Sequence, residues 1–174
     1  MDDLRNDPRY KHHESRPDLA GEHPKGDFYQ AIAMLVFLAA IAFDYFYFGF
    51  GPRLNDQVNF WIRLVLGGAI AIFGGWLALY GIKIVFSEFT ELPRMITQDL
   101  FSFVRHPVYL GAMIIYVGAL AFTMSPLGLG VFIGVFFLYD WLAQDEEQRM
   151  EKIFGEAYLA YKSQVPRWLP RLRG

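Results

Sequence analysis

Four apolar runs, each near or above the length that crosses a bilayer, leave this chain few folds to choose from. They cover residues 28 to about 50, 60–86, 107–124 and 126–143. A helix rising 1.5 Å per residue needs roughly 20 apolar residues to span the hydrocarbon. In lipid every backbone N–H and C=O must find its partner within the chain, so runs of this kind become helices. Only Asp44 interrupts the first run, and Arg63 and Lys83 lie near the ends of the second, where long side chains reach the interface. Hydrophobic residues make up 54% of the 174 and are concentrated in these blocks. The expectation is an all-α integral membrane protein with about four transmembrane helices. A polar stretch of residues 1–27 precedes the first run and no small-residue cleavage site closes it, so that run reads as a span rather than a signal peptide.

Basic residues set the orientation. With four spans, the N-terminal tail, the loop carrying Arg94 and Arg105, and the C-terminal tail share one side and hold nearly all the Lys and Arg, whereas Arg53 and Arg63 lie on the other. Both termini are therefore expected in the cytoplasm of a multi-pass protein, in a bacterial inner membrane or its equivalent. The net charge of −2 offers no general attraction to nucleic acid. There is no cysteine, which removes disulfides, thiolate metal sites and cysteine nucleophiles.

Three parts follow from this reading: a disordered cytoplasmic tail at 1–27, a four-helix membrane domain at 28–143, and an amphipathic cytoplasmic segment at 144–174. In the tail, His12, His13, Glu14 and His23 have nothing to fix a ligand geometry, so no metal site is expected. In the C-terminal segment, Met150, Ile153, Phe154, Ala157, Tyr158 and Tyr161 recur at helical spacing, which suits a surface helix or a lid. Trp168 beyond it reads as an interfacial anchor. Small residues Gly67, Ala71, Gly74, Gly75, Ala78 and Gly81 line the second run, with Gly111 and Gly118, then Gly130 and Gly134, in the last two. Such stripes let helices approach closely, either within one chain or against a second copy in a homodimer. Asp44 is equally a structural or a functional acid, while Asp140 lies near enough to the interface to be hydrated.

The string "SFVRHPVYLGA" at 102–112 stands at the start of the third run. Pro107 suits the first turn of a helix, leaving open N–H groups and a positive helix end just after His106. The almost loopless link between the third and fourth runs makes them a hairpin, which brings Asp145, Glu146 and Glu147 opposite that helix start. A zwitterionic ligand fits such a pair. A plain ion pair from Arg105 to Glu146 or Glu147, closing the hairpin, fits equally, and Arg105 is the better brace than ligand group.

The ordered set "RHPVYLG", a hairpin, "EE" and "FGEAYLAYKSQVPRWLP" resembles the isoprenylcysteine carboxyl methyltransferases and, more broadly, the phospholipid methyltransferase-like membrane enzymes. The likeness covers about residues 75–170. It implies a small helical membrane enzyme that uses S-adenosylmethionine, needs no metal, and methylates a lipophilic small molecule, lipid or prenylated substrate presented from the membrane. Carried over by position, His106, Pro107, Val108 and Tyr109 would line the cofactor pocket, and Glu146 and Glu147 would hold its polar groups. The piece Pro93, Arg94, Met95 and Ile96, strand-like before the motif, would give backbone contacts, and Phe101 would pack on the cofactor. His106, Tyr109 and Glu147 would be the catalytic set.

Two positions depart from the family pattern. Asp99-Leu100 stands where the family carries Gly-Pro, and Leu142 where the carboxyl methyltransferases carry an arginine one turn before the glutamates. Losing that charge shifts the expected acceptor from a carboxylate toward a lipid amine or another apolar acceptor, an amine needing Glu147, Asp140 or His106 as its base. A nicotinamide-dependent sterol-type reductase and a non-catalytic membrane scaffold are the other classes that share such a bundle.

Overall fold

The computed structural model describes residues 21–87 and 92–170. His12, His13, Glu14 and the rest of the tail up to residue 20 lie outside the described residues. Helix α1 (Gly26–Phe43) runs on through a π-helical turn at Asp44–Phe48. A short α2 (Phe50–Asn55) and the long α3 (Phe60–Val85) follow. After a 3₁₀ turn at Asp99–Ser102 come α4 (Pro107–Thr123), α5 (Pro126–Phe154) and α6 (Glu156–Gln164). Gly26–Phe48, Phe60–Val85 and Pro126–Phe154 are each long and apolar enough to cross a membrane, and α4 is a shorter apolar helix. The chain is an all-helical membrane protein, with no strand among the described residues. Residues 93–96, expected to be strand-like, have no regular structure.

Helix α5 departs from its expected end. The acidic and amide residues after Ala143 favour a helix as much as the apolar ones before them, so α5 continues to Phe154. The break comes at Gly155, whose φ of 54° suits a residue without a Cβ. The amphipathic segment expected in one piece is therefore the end of α5 plus α6, and the 143/144 boundary falls inside a helix.

Helices α3 and α4 approach most closely. A Cβ built on Gly74 would lie 2.6 Å from the Gly111 carbonyl oxygen, and one on Gly67 2.7 Å from that of Gly118. Gly111 and Gly118 meet Ala78 and Ala71 in return. Gly67, Gly74 and Gly81 of α3 thus pack within the monomer, whereas Gly68 and Gly75 have nothing near them. Gly130 and Gly134 also have no neighbour there, against the expectation that they pack.

The hairpin from α4 to α5 turns through Met124 and Ser125, but aromatic rings separate the two helices. Tyr139 lies edge-on to Tyr109 at 5.3 Å and to Tyr116 at 6.3 Å. Helix α1 lies along α5 and closes the core, with Phe37 edge-on to Tyr116 at 4.7 Å.

At the end of the bundle where α4 meets α5, Asp44 is fully buried. It accepts the N–H groups of Phe50 and Gly51 at 3.1 and 3.2 Å and the Ser125 hydroxyl. Arg63 donates to the Phe122 carbonyl at 2.7 Å beside it. Asp44 therefore joins the end of α1 to the start of α5, a structural duty.

Candidate functional site

At the other end, the start of α4 faces the polar extension of α5 and a cavity of about 460 Å³ lies beside them. Pro107, at the first helical position of α4, has no N–H to satisfy, and His106 places no side-chain cap on the helix. Pro107, Val108 and Tyr109 line the cavity, so the open N–H end of α4 borders it. Leu110 N–H is the first to bond back, to the His106 carbonyl at 3.0 Å.

The two glutamates have separate surroundings. Glu146 lines the cavity and accepts from the Tyr109 hydroxyl at 2.5 Å, with His106 Nδ1 at 3.5 Å from its other oxygen. Glu147 is 1% exposed and is not among the cavity walls. Its carboxylate accepts from Arg105 Nε at 3.1 Å and from Arg167 at 2.8 and 3.1 Å, with Lys162 Nζ at 3.3 Å. His106 Nε2 lies 3.3 Å away on the same carboxylate. Glu147, expected as a catalytic and cofactor-holding residue, is thus placed behind the cavity wall, where its buried carboxylate is shared by three cations. Successive helical positions diverge by about 100°, so adjacent glutamates cannot share one outlook.

Arg105 is the brace expected of it. Its N–H donates to Pro166 at 2.9 Å, and its guanidinium donates to the Lys162 and Val165 carbonyls at 3.0 and 2.7 Å besides Glu147. Asp140 is not simply hydrated. It accepts from Arg167 at 2.7 Å and from the Trp168 indole at 3.0 Å. Trp168 consequently lies against His106, at 5.9 Å between rings, instead of projecting as an anchor.

The His106 ring lies parallel to that of Tyr109 at 5.7 Å. Burial disfavours its charged form, but Glu146 and Glu147 outweigh this and raise its pKa above the ordinary 6.5. In its charged form the imidazole lies within reach of both carboxylates.

Of the other expected cofactor-binding residues, Arg94, Ile96 and Phe101 line the cavity, whereas Pro93 and Met95 do not. Arg94 donates to the Val85 carbonyl at 2.5 Å and so closes the last turn of α3. Asp99 takes φ 52°, the left-handed conformation that glycine adopts without penalty. Asp is among the residues that tolerate it, so the loop keeps a glycine-like shape without the family's Gly-Pro. Leu142 is fully buried in the core and brings no charge of its own to that position of α5.

Helix α6 turns Tyr158 and Tyr161 onto the cavity, and the Tyr161 hydroxyl donates to the Phe101 carbonyl at 2.6 Å. Burial pushes the Tyr161 phenol up to about 12, so it keeps its proton. A third wall was not expected at all. Gly21, Glu22 and His23, then Gly26, Asp27 and Gln30 of α1, line the cavity. Residues 21–25 lead into α1 against the site and differ there from the expected tail. Their charge hid this, and only Gly21 and Gly26, small residues before an apolar helix, hinted at a close approach.

A helical membrane protein in which the start of one span, the extended end of the next and a C-terminal segment enclose a polar-mouthed cavity is thereby defined. The sequence model of the phospholipid methyltransferase family matches residues 62–157. The chain belongs to that family. It is similar to Protein-S-isoprenylcysteine O-methyltransferase of Xenopus laevis, 32% identical over 92 residues, which are 52% of this chain and 32% of the relative. The human protein of the same name is 28% identical over 92 residues, with the same shares covered. Methanethiol S-methyltransferase of Crocosphaera subtropica is 31% identical over 128 residues, 68% of this chain and 49% of the relative. The chain thus spans about a third to a half of the length of these curated relatives.

Proposed function

We propose that the chain is a membrane methyltransferase that takes its methyl group from S-adenosylmethionine and passes it to a lipophilic acceptor. The observation that carries this reading is the cavity where the open N-terminal end of α4 and the Glu146 carboxylate converge, in a chain of this family. The residues present fit that donor. The volume lies within the roughly 300–1,000 Å³ of small-molecule sites. The N–H groups at the start of α4 suit a carboxylate, Glu146 suits an ammonium or a ribose hydroxyl, and Phe101, Tyr158 and Tyr161 offer flat walls to a purine. His106, Pro107, Val108, Tyr109, Glu146, Arg94, Ile96 and Phe101 would hold it.

The donor supplies an electrophilic methyl group on a sulfonium, which a nucleophile displaces directly. What the chain contributes is position and dryness. Tyr109 fixes one oxygen of Glu146, and His106 carries its proton between the two glutamates. Glu147 with Arg105 and Arg167 holds the start of α4 against α5 and the C-terminal segment. No cation of the site stands at Leu142, which favours an amine or other apolar-tailed acceptor over a carboxylate. Ile82 of α3 and Phe86 just beyond it, both in the cavity wall, are also exposed apolar surface, a route by which an acceptor could arrive from the bilayer. Both termini and the site would face the cytoplasm.

Incubation of the purified protein in nanodiscs with methyl-labelled S-adenosylmethionine and a total lipid extract tests this. Label should enter a lipid-soluble product, and Glu146→Ala should lower donor affinity about tenfold or more without unfolding the protein. Saturable affinity for NADPH instead, or for neither compound, would overturn the reading.

A further inference from the structure

We propose that residues 21–27 form a working wall of the donor pocket, with His23 as the positioning residue that fixes Glu146. This rests on the donor reading above, and it concerns a segment outside residues 62–157, where the family match gives no guidance.

Three observations converge on the segment. The His23 backbone N–H donates at 3.3 Å to Glu146 Oε1, the oxygen that also accepts from Tyr109. That oxygen is thereby held from both sides, which points the other one toward His106 Nδ1 at 3.5 Å. The His23 ring is in turn clamped between Tyr29 of α1 and Trp141 of α5, with centroids 5.6 and 5.4 Å away. Its Nδ1 accepts the Lys25 N–H at 3.1 Å while its carbonyl accepts the Gly26 N–H at 2.9 Å, which closes the turn into α1.

The segment also packs on α5. A Cβ on Gly21 would lie 2.2 Å from Met150 Sδ and 3.0 Å from its Cγ, so any larger residue there requires that flexible side chain to move. Met150, Gly21 and Glu22 all line the same cavity. A ligand held by Glu146 therefore has this segment as its outer boundary. The order of its few residues sets the orientation of the carboxylate that the ligand meets.

The chain has no cysteine, so Glu22→Cys provides a single thiol on this wall. Its alkylation by a maleimide should slow several-fold when S-adenosylhomocysteine is bound. His23→Ala should weaken S-adenosylhomocysteine binding about tenfold and raise the KM for the donor with little change in kcat. His23→Phe, which keeps a ring between Tyr29 and Trp141, should restore both. An alkylation rate indifferent to a ligand that the wild-type protein demonstrably binds would overturn the proposal. So would His23→Ala binding as tightly as the wild type, or His23→Phe failing to recover in a protein that melts like the wild type. Should His23→Ala not fold, the thiol-protection result decides alone. If the wild-type protein binds no S-adenosylhomocysteine, the donor reading falls first and this inference falls with it.

Discussion

The two ends of the bundle each bury one carboxylate, and they satisfy it in opposite ways. Asp44 is met by neutral donors, two backbone N–H groups and a serine hydroxyl, on a turn that needs closing. Glu147 is met by Arg105, Arg167, Lys162 and His106. Neutral donors finish a structure; a shared charge holds separate segments together. At the Asp44 end two partners lie six and seven residues further along the chain, and the third, Ser125, stands at the start of α5. At the Glu147 end they come from the start of α4, from α6 and from the stretch beyond it, which are the pieces that enclose the cavity.

The largest effect expected from this contrast is at Glu147. Glu147→Ala leaves the buried Arg105 without its carboxylate and Arg167 with Asp140 alone, and should cost about 3–5 kcal/mol, read as loss of cooperative unfolding in detergent. Glu147→Gln should retain most of that loss, because an amide supplies shape and no charge. Asp44→Asn keeps an oxygen for the Phe50 and Gly51 N–H groups, and should cost only about 1 kcal/mol by the same denaturation assay. Equal costs for the two amide substitutions would erase the difference between the ends.

A pH titration sharpens the comparison further. The folded pKa of His106 is raised above 6.5, so the stability from its charged form is fully present below about pH 6.5. That stability is lost as pH rises through the higher folded value. Wild-type melting temperatures should fall across that window relative to His106→Gln measured in the same buffers. The smallest effect belongs to Asp99→Gly, which relieves a left-handed φ and should be neutral or stabilising by under about 1 kcal/mol. A clear destabilisation would mean that the Asp99 side chain, and not only its backbone, holds the loop.

Much of this was legible in the chain. The apolar runs fixed the helices, and the near absence of a loop between α4 and α5 brought His106 to the glutamates. Which glutamate faces the cavity was not legible, because it depends on a rotation about α5 that the spacing of charges does not specify. Asp44 showed its burial in the sequence but not its partners, which arrive from the far side of two turns. The N-terminal wall was hidden for a different reason. Residues 21–27 bury little apolar surface of their own and owe their place to rings and carboxylates elsewhere, so no periodicity marks them. The break at Gly155 was visible as a residue type, yet the apolar repeat on either side of it continues in step and masks the interruption.

The close fit of α3 on α4 has a mechanical consequence. Carbonyl oxygens of Gly67, Gly74, Gly111 and Gly118 occupy the positions where side chains would otherwise begin. Interlocked at two levels a full two turns apart, the pair behaves as a rigid rail that resists sliding along its length. The cavity floor at Ile82, Val85 and Val108 belongs to that rail. Any breathing that admits or releases a ligand therefore falls to the opposite jaw, where His23 and α6 are held by hydrogen bonds and rings that can part and re-form.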